Sequence, residues 1–275
     1  MKVVYFGTDV FLSCFEYFAK NHQILALYTY HNDEDYFTEY NIVKQAEALK
    51  IPIYYHDITP EEIRRYFTED GCEFFFVAEY DRIITIPEDI PEFRGTNIHS
   101  SLLPHGRSYY PIEAAMQREL SVTGVTLHKL VNKLDLGDII DQRSMEIEPE
   151  TDSIDIYLRL GAYALEMTGN LMKNFDECWL NAKPQSKGYP YWKRPDSELL
   201  TLHHELSIAD AFDIFRKYNS MTQLELNGIW YFVTSMMSGS ELLSHDTWQL
   251  SPTLLLYRIK DGHLRLQIQP KETQA

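Results

Sequence analysis

The sequence predicts an α/β protein. A Rossmann-like, mostly parallel sheet over residues 1–185 is followed by a small β-rich, OB-like domain over residues 186–275. Three observations carry this expectation. In the first two thirds, short continuous apolar runs alternate with helical patterns, as in a parallel sheet covered on both faces. The tail has strand-like runs joined by Asn227-Gly228 and Asp261-Gly262, the residue pairs of tight hairpins. Charge changes with the texture. Residues 1–188 hold 17 Lys/Arg against 31 Asp/Glu, and residues 189–275 hold 8 against 10.

The elements follow in order. Val3 to Phe6 is a short strand that stops at Gly7, and Phe11 to Ala19 repeats apolar residues at helical spacing. Ile24 to Tyr30 is a second strand, and His31 to Asp35 a polar loop. Ile42 to Leu49 reads as a helix and Ile51 to Tyr55 as a strand. Thr59-Pro60 opens another helix, with Thr as N-cap and Pro in the first turn. Phe74 to Ala78 is a strand apolar on both faces, and Gly95 to Ser100 a further strand edge. Ile112 to Leu120 is helical, Val122 to Leu130 alternates as a strand, Leu134 to Gly137 turns, and Ile139 starts another strand. Ser153 to Leu180 carries one long helical pattern, and Asn181 to Pro195 reads as a linker. The tail adds a helix at Ile208–Tyr218 and strands near 223–226, 229–234, 254–259 and 264–268.

Composition narrows the function. Hydrophobic residues make up 44% of 275, enough for a sizeable core, so wholesale disorder is excluded. A formal net charge of -16 opposes a partner bound mainly through phosphates, which requires a basic footprint. The expected partners are therefore small molecules, with no nucleic acid and no membrane. Cys14, Cys72 and Cys178 are odd in number and widely spaced, so reduced core thiols in a cytoplasmic protein are expected. The N-terminal apolar run is too short and polar for a signal peptide or membrane span. The apolar tail allows a homodimer.

The segment from Asn97 to Arg107 (NIHSSLLPHGR) is the most informative. On a strand end, the period of two puts Asn97 and His99 on one face. An amide that steadies an oxyanion and an imidazole that moves a proton near neutral pH suit carbonyl chemistry. Asp135, in the turn of Leu134-Asp-Leu-Gly, could reach the ring and stabilise its cation. His105 is close to His99, but no carboxylate or Cys joins them at ligand spacing, so no metal is expected. No GxGxxG follows Gly7, so no dinucleotide cofactor is inferred. Arg107, Tyr109 and Tyr110, near the catalytic loop, are candidates to meet a substrate. His203-His204 reads as a solvated pair. Tyr189, Tyr191 and Trp192 read as packing aromatics.

Together, NIHSSLLPHGR and GVTLHKLVNKLDLGDII resemble the folate-dependent formyltransferase family, whose motifs read N-x-H-x-S-L-L-P-x-x-R-G and L/A-D-x-G. FGTDVF resembles the family's G-T-P-x-F opening, and the segment from Ala78 to Pro91 resembles the stretch that lies along the folate. The resemblance covers about residues 1–185. It implies 10-formyltetrahydrofolate as co-substrate, no metal, and an acceptor amine attacking the formyl carbon. Asn97 would hold the oxyanion, His99 would transfer protons and Asp135 would position His99. It further implies Tyr80, Arg82, Ile84, Leu102 and Asp138 as folate contacts and Thr8 as an acceptor contact, beside Arg107, Tyr109 and Tyr110. TLHKLVNKLDLGDIIDQ is most similar to the formyltransferase half of the aminoarabinose enzyme, which favours an amino-sugar nucleotide as acceptor. Another small amine, a formyltetrahydrofolate hydrolase and a non-catalytic folate-binding relative are the alternatives. Three departures stand out: Asp9 where the family has Pro, Ser100 where Pro is common, and Ser108 where it has Gly. Glycine takes positive φ at little cost and serine resists it, so a different loop shape is expected at Ser108.

Overall fold

The computed structural model describes residues 1–31, 40–239 and 247–271. They divide into two compact units. The first comprises Met1–His31, residues 40–149 and Asp155–Arg194, and the second residues 150–154 and 195–271. Most of the loop expected at His31 to Asp35 lies outside the described residues.

The first unit is a seven-stranded sheet in the order β3-β2-β1-β4-β5-β6-β7. Its strands are β1 (Lys2–Gly7), β2 (Gln23–Tyr28), β3 (Ile53–Tyr54), β4 (Phe74–Ala78), β5 (Gly95–His99), β6 (Val122–Lys129) and β7 (Ile139–Glu146). β1 to β5 are parallel, and β6 and β7 return antiparallel. The helices are α1 (Leu12–Asn21), α2 (Asn41–Ala48), α3 (Pro60–Thr68), α4 (Pro111–Gln117), α5 (Ser153–Lys173) and α6 (Phe175–Leu180). The continuous apolar strands have the meaning their pattern predicts. Val3, Tyr5, Phe74 and Phe76 face one layer with Phe15, Phe18, Ile42, Leu160 and Met167. Val4, Phe6, Phe75 and Val77 face the other with Ile63 and Tyr66. Period two sends alternate residues of each strand to opposite helical layers, so both must be apolar.

Local chemistry fixes the ends. Thr59 and Glu62 form a reciprocal capping box at α3. Asp9 explains its own departure from the family pattern. Its carboxylate accepts from the Asn41 and Ile42 backbone N–H groups at 2.7 and 2.8 Å, satisfying orphan donors at the start of α2. The single helix expected over Ser153 to Leu180 is two, because Asn174 leaves helical geometry at φ -125°. Asn competes with the helix by local hydrogen bonding, here to Asn170 at 2.8 Å.

The second unit holds α7 (Ile208–Tyr218) and a five-stranded antiparallel sheet. Its strands are β8 (Gln223–Leu226), β9 (Ile229–Ser238), β10 (Trp248–Ser251), β11 (Leu254–Ile259) and β12 (Gly262–Pro270), in the order β10-β11-β12-β9-β8. Asn227 and Gly228 both take positive φ, as a two-residue hairpin requires. Leu224, Val233, Leu255, Leu264, Leu266 and Ala211 form its core. β10 was not legible in the sequence. Among the described residues no helix is long and apolar enough to cross a membrane. Cys14 and Cys72 are buried, and burial pushes each thiol up to about 12, which keeps them inert.

Candidate active site

Strand order reverses between β1 and β4, and ligands of such sheets bind beyond the carboxyl ends at that point. β5 ends there with Asn97 and His99. Asp135 comes from the turn between β6 and β7 and is buried. Its carboxylate Oδ1 lies 3.8 Å from His99 Nδ1 and 3.7 Å from His128 Nε2. The Asn97 amide donates to Asp135 Oδ1 at 3.4 Å, and the Ser108 N–H donates to Oδ2 at 3.0 Å. The three residues expected from two remote loops therefore meet.

The tautomer of His99 follows from its partner. Nε2 is 2.7 Å from the Gly106 carbonyl oxygen, which only accepts, so Nε2 carries hydrogen and Nδ1 faces Asp135. Burial alone would raise the Asp135 carboxyl. His99 and the Ser108 N–H hold it well below the usual carboxylate range, so it remains an anion beside the ring.

His128 was missed in the sequence. β6 pairs with β5 so that His128 lies opposite Asn97. Its Nδ1 donates to the Lys129 carbonyl at 2.9 Å, which leaves Nε2 to accept from the Asn97 amide at 3.2 Å. Both hydrogens of the Asn97 amide are thus directed, and the longer bond, to Asp135, is the one an oxyanion can replace. Asn97→Ala is expected to cost transfer about two to three orders of magnitude, measured as kcat/KM. A loss under threefold removes the oxyanion role.

Gly137 explains the Asp-x-Gly spacing. A Cβ there would lie 1.7 Å from the Lys129 carbonyl oxygen, so only glycine lets the Asp135 turn close onto β6. Ser108 adopts φ +103° despite its side chain. The bond from its N–H to Asp135 holds the strained residue in place. Ser108→Gly keeps that N–H and removes the strain. It is expected to stabilise the fold by about 1 kcal/mol, read from urea melts. A destabilised variant would contradict the strain argument.

An adjoining cleft of about 440 Å³, open solvent included, is lined by Tyr80, Arg82, Ile83, Ile84, Asn97, His128, Leu130, Val131, Leu134 and Asp135, among others. Three of the five expected folate contacts, Tyr80, Arg82 and Ile84, are therefore in its wall. Leu102 and Asp138 are not. Leu102 packs over Gly124, and the Asp138 carboxylate is 3.7 Å from Lys129 Nζ. Arg107 requires a correction. It is buried, and its guanidinium donates to Gln185 Oε1 at 2.7 Å and to the Ser186 and Tyr189 carbonyls. Gln185 in turn donates to the Asp135 and Gly137 carbonyls at 2.9 and 2.8 Å. Arg107 thus braces, through Gln185, the turn that carries Asp135. The Tyr109 hydroxyl donates to the Asp81 carbonyl at 3.1 Å, Tyr110 lies under Arg194, and Thr8 is buried at the end of β1. Among the described residues no cluster of three or more His, Cys, Asp or Glu could hold a metal.

A buried imidazole facing an anionic carboxylate, with an amide on the same carboxylate and a cleft alongside, is an arrangement suited to carbonyl chemistry. The sequence model of the formyl transferase family matches residues 33–167, and the chain resembles the folate-dependent formyltransferases. A methionyl-tRNA formyltransferase of Listeria monocytogenes is 27% identical over 198 residues, 67% of this chain and 61% of its own. The match thus spans about three fifths of that relative's length. Two solved structures share the fold. HypX from Aquifex aeolicus in complex with tetrahydrofolic acid has a TM-score of 0.71 at 14% identity, covering 99% of this chain and 44% of its own. An N-formyltransferase from Helicobacter canadensis, in complex with folinic acid and dTDP-3-aminofucose, has 0.61 at 18% identity, covering 98% and 99%.

Proposed function

We propose that the protein transfers the formyl group of 10-formyltetrahydrofolate to the amine of an amino-sugar nucleotide. The observation that carries formyl transfer is the convergence of Asn97, His99 and Asp135, with Asn97 and Asp135 in the wall of the cleft. Ile83 and Val131, both exposed at 66% and 40%, are apolar side chains suited to a flat pterin-like ring. Tyr80, Arg82 and Ile84 would hold the folate. Asn97 would donate to the developing oxyanion, His99 would move the proton and Asp135 would hold the imidazolium.

The acceptor rests on charge. At -16, the chain lacks the basic footprint of a tRNA-binding protein, although its sequence relatives include methionyl-tRNA formyltransferases. A nucleotide-sugar pyrophosphate needs only a few donors, and with Arg107 spent internally these fall to Thr8, Tyr109 and Tyr110. In this reading residues 1–185 are the catalytic domain, residues 186–275 the small β-rich domain, and the enzyme is a cytoplasmic one, with a homodimer as its simplest assembly.

The test is a panel of amino-sugar nucleotides and methionyl-tRNA, each incubated with 10-formyltetrahydrofolate and followed by mass. One formyl gained by a sugar nucleotide supports the proposal. Formylation of the tRNA alone overturns the acceptor, and formate release with no acceptor favours a hydrolase.

A further inference from the structure

A fourth ionisable group stands beside the triad and has no part in it. Gly7 of β1, Ala78 of β4 and Ile98 of β5 are in register. The next residues, Thr8, Glu79 and His99, therefore end three neighbouring strands side by side, at the point where strand order reverses. Glu79 is left-handed at φ +53°, a conformation rare for a residue with a long side chain. The Ser100 hydroxyl, buried directly after His99, donates to Glu79 Oε1. Glu79 thus lies toward β4 from His99, with Asp135 on the other side. The strained glutamate and the serine that departs from the family's proline form one contact.

Glu79 also differs from Asp135 in what it is free to do. Asp135 accepts from two donors and faces two imidazoles, so its charge is committed. Burial raises the Glu79 carboxyl, the Ser100 hydrogen bond and His99 oppose this, and Asp135 adds to it. The other groups that face it are Tyr157 of α5 and, bonded to that hydroxyl at 3.0 Å, Glu113 of α4. A carboxyl in such a setting exchanges protons closer to neutrality than an exposed one.

We propose that Glu79 is the carboxylate that receives the acceptor's ammonium group and takes its first proton. The inference rests on the formyl-transfer reading above. A primary amine reaches the site as R–NH3⁺, which has no lone pair. Its N–H bond breaks, an O–H bond forms on Glu79, and the electron pair stays on nitrogen. That pair forms the new N–C bond as the carbonyl pair moves onto oxygen, where Asn97 donates to it, and the return of that pair breaks the C–N10 bond of the donor. A second amine proton passes through His99 to N10, and the first leaves Glu79 for water. The sum is formamide, tetrahydrofolate and one released proton.

The experiment compares wild type, Glu79→Gln, Glu79→Asp and His99→Ala with 10-formyltetrahydrofolate and two probe nucleophiles: glucosamine, largely cationic at neutral pH, and hydroxylamine, a free base there. Glu79→Gln is expected to lose about tenfold more rate with glucosamine than with hydroxylamine at neutral pH. The glucosamine rate recovers as pH rises, and Glu79→Asp restores part of it. Equal losses with both nucleophiles, or no recovery with pH, overturn the proposal. If His99→Ala retains transfer to both, only the role of His99 falls; if wild type transfers formyl to neither probe nor to any amine of the panel above, the formyl-transfer reading itself fails. If neither nucleophile is accepted, the carboxyl titration decides, read by carbon NMR with Glu79→Gln to assign the signal. A midpoint above that of exposed glutamates supports Glu79, and an ordinary midpoint overturns it.

Discussion

Replacing His99 with alanine is expected to lower formyl transfer by about three orders of magnitude or more, with folate binding changed little. The reason is geometric. Nε2 of the ring is tied to the Gly106 carbonyl at 2.7 Å, so Nδ1 is the nitrogen presented to Asp135, and it can take up a proton and hold it. His128 already donates through Nδ1 and accepts through Nε2, so it is no substitute. The ring does not line the cleft that Tyr80, Ile84 and Val131 help to wall, so the binding surface survives its removal. Single-turnover transfer and binding of a folate analogue separate the two effects. Near-normal turnover would remove His99 from the mechanism, and a parallel loss of folate binding would assign it to structure instead.

How much of this was legible depends on how local each feature is. The apolar strands could be read because burial on both faces leaves a mark in the sequence of each strand. Asn97 and His99 could be read because a strand end and period two suffice to bring them to one face. His128 could not, since its role depends on antiparallel pairing that sets it opposite Asn97, a fact about two strands 31 residues apart. Arg107 was misplaced for the same kind of reason. A cation in a Pro/Gly loop reads as exposed, and only the return of Gln185 to Tyr189 across the loop buries it. Ser108 shows the limit of propensity. Serine disfavours φ +103°, yet the Asp135 carboxylate fixes its N–H there. Ser100 departed from the family pattern, and only adjacency of the β4 and β5 ends shows its partner, Glu79.

Asp135→Asn is expected to lower kcat by about three to four orders of magnitude and to change the acid stability of the fold. The substitution is nearly isosteric but removes the anion that faces both His99 and His128. A neutral amide no longer favours the imidazolium, and one of its two faces now carries N–H groups where Ser108 and Asn97 direct theirs. The sign of the pH effect follows from the depressed carboxyl. Its folded pKa lies below its unfolded value, so its contribution to stability is fully present above about pH 4 and is lost as pH falls toward the folded pKa. The wild type should therefore exceed the Asn variant in stability at neutral pH, and the gap should close as pH drops below about 4, in urea melts taken across that range. The catalytic and stability readouts are independent. A gap constant with pH would mean that Asp135 is not held as an anion by its neighbours. A closing gap with unimpaired kcat would mean that the charge serves the fold and not the transfer.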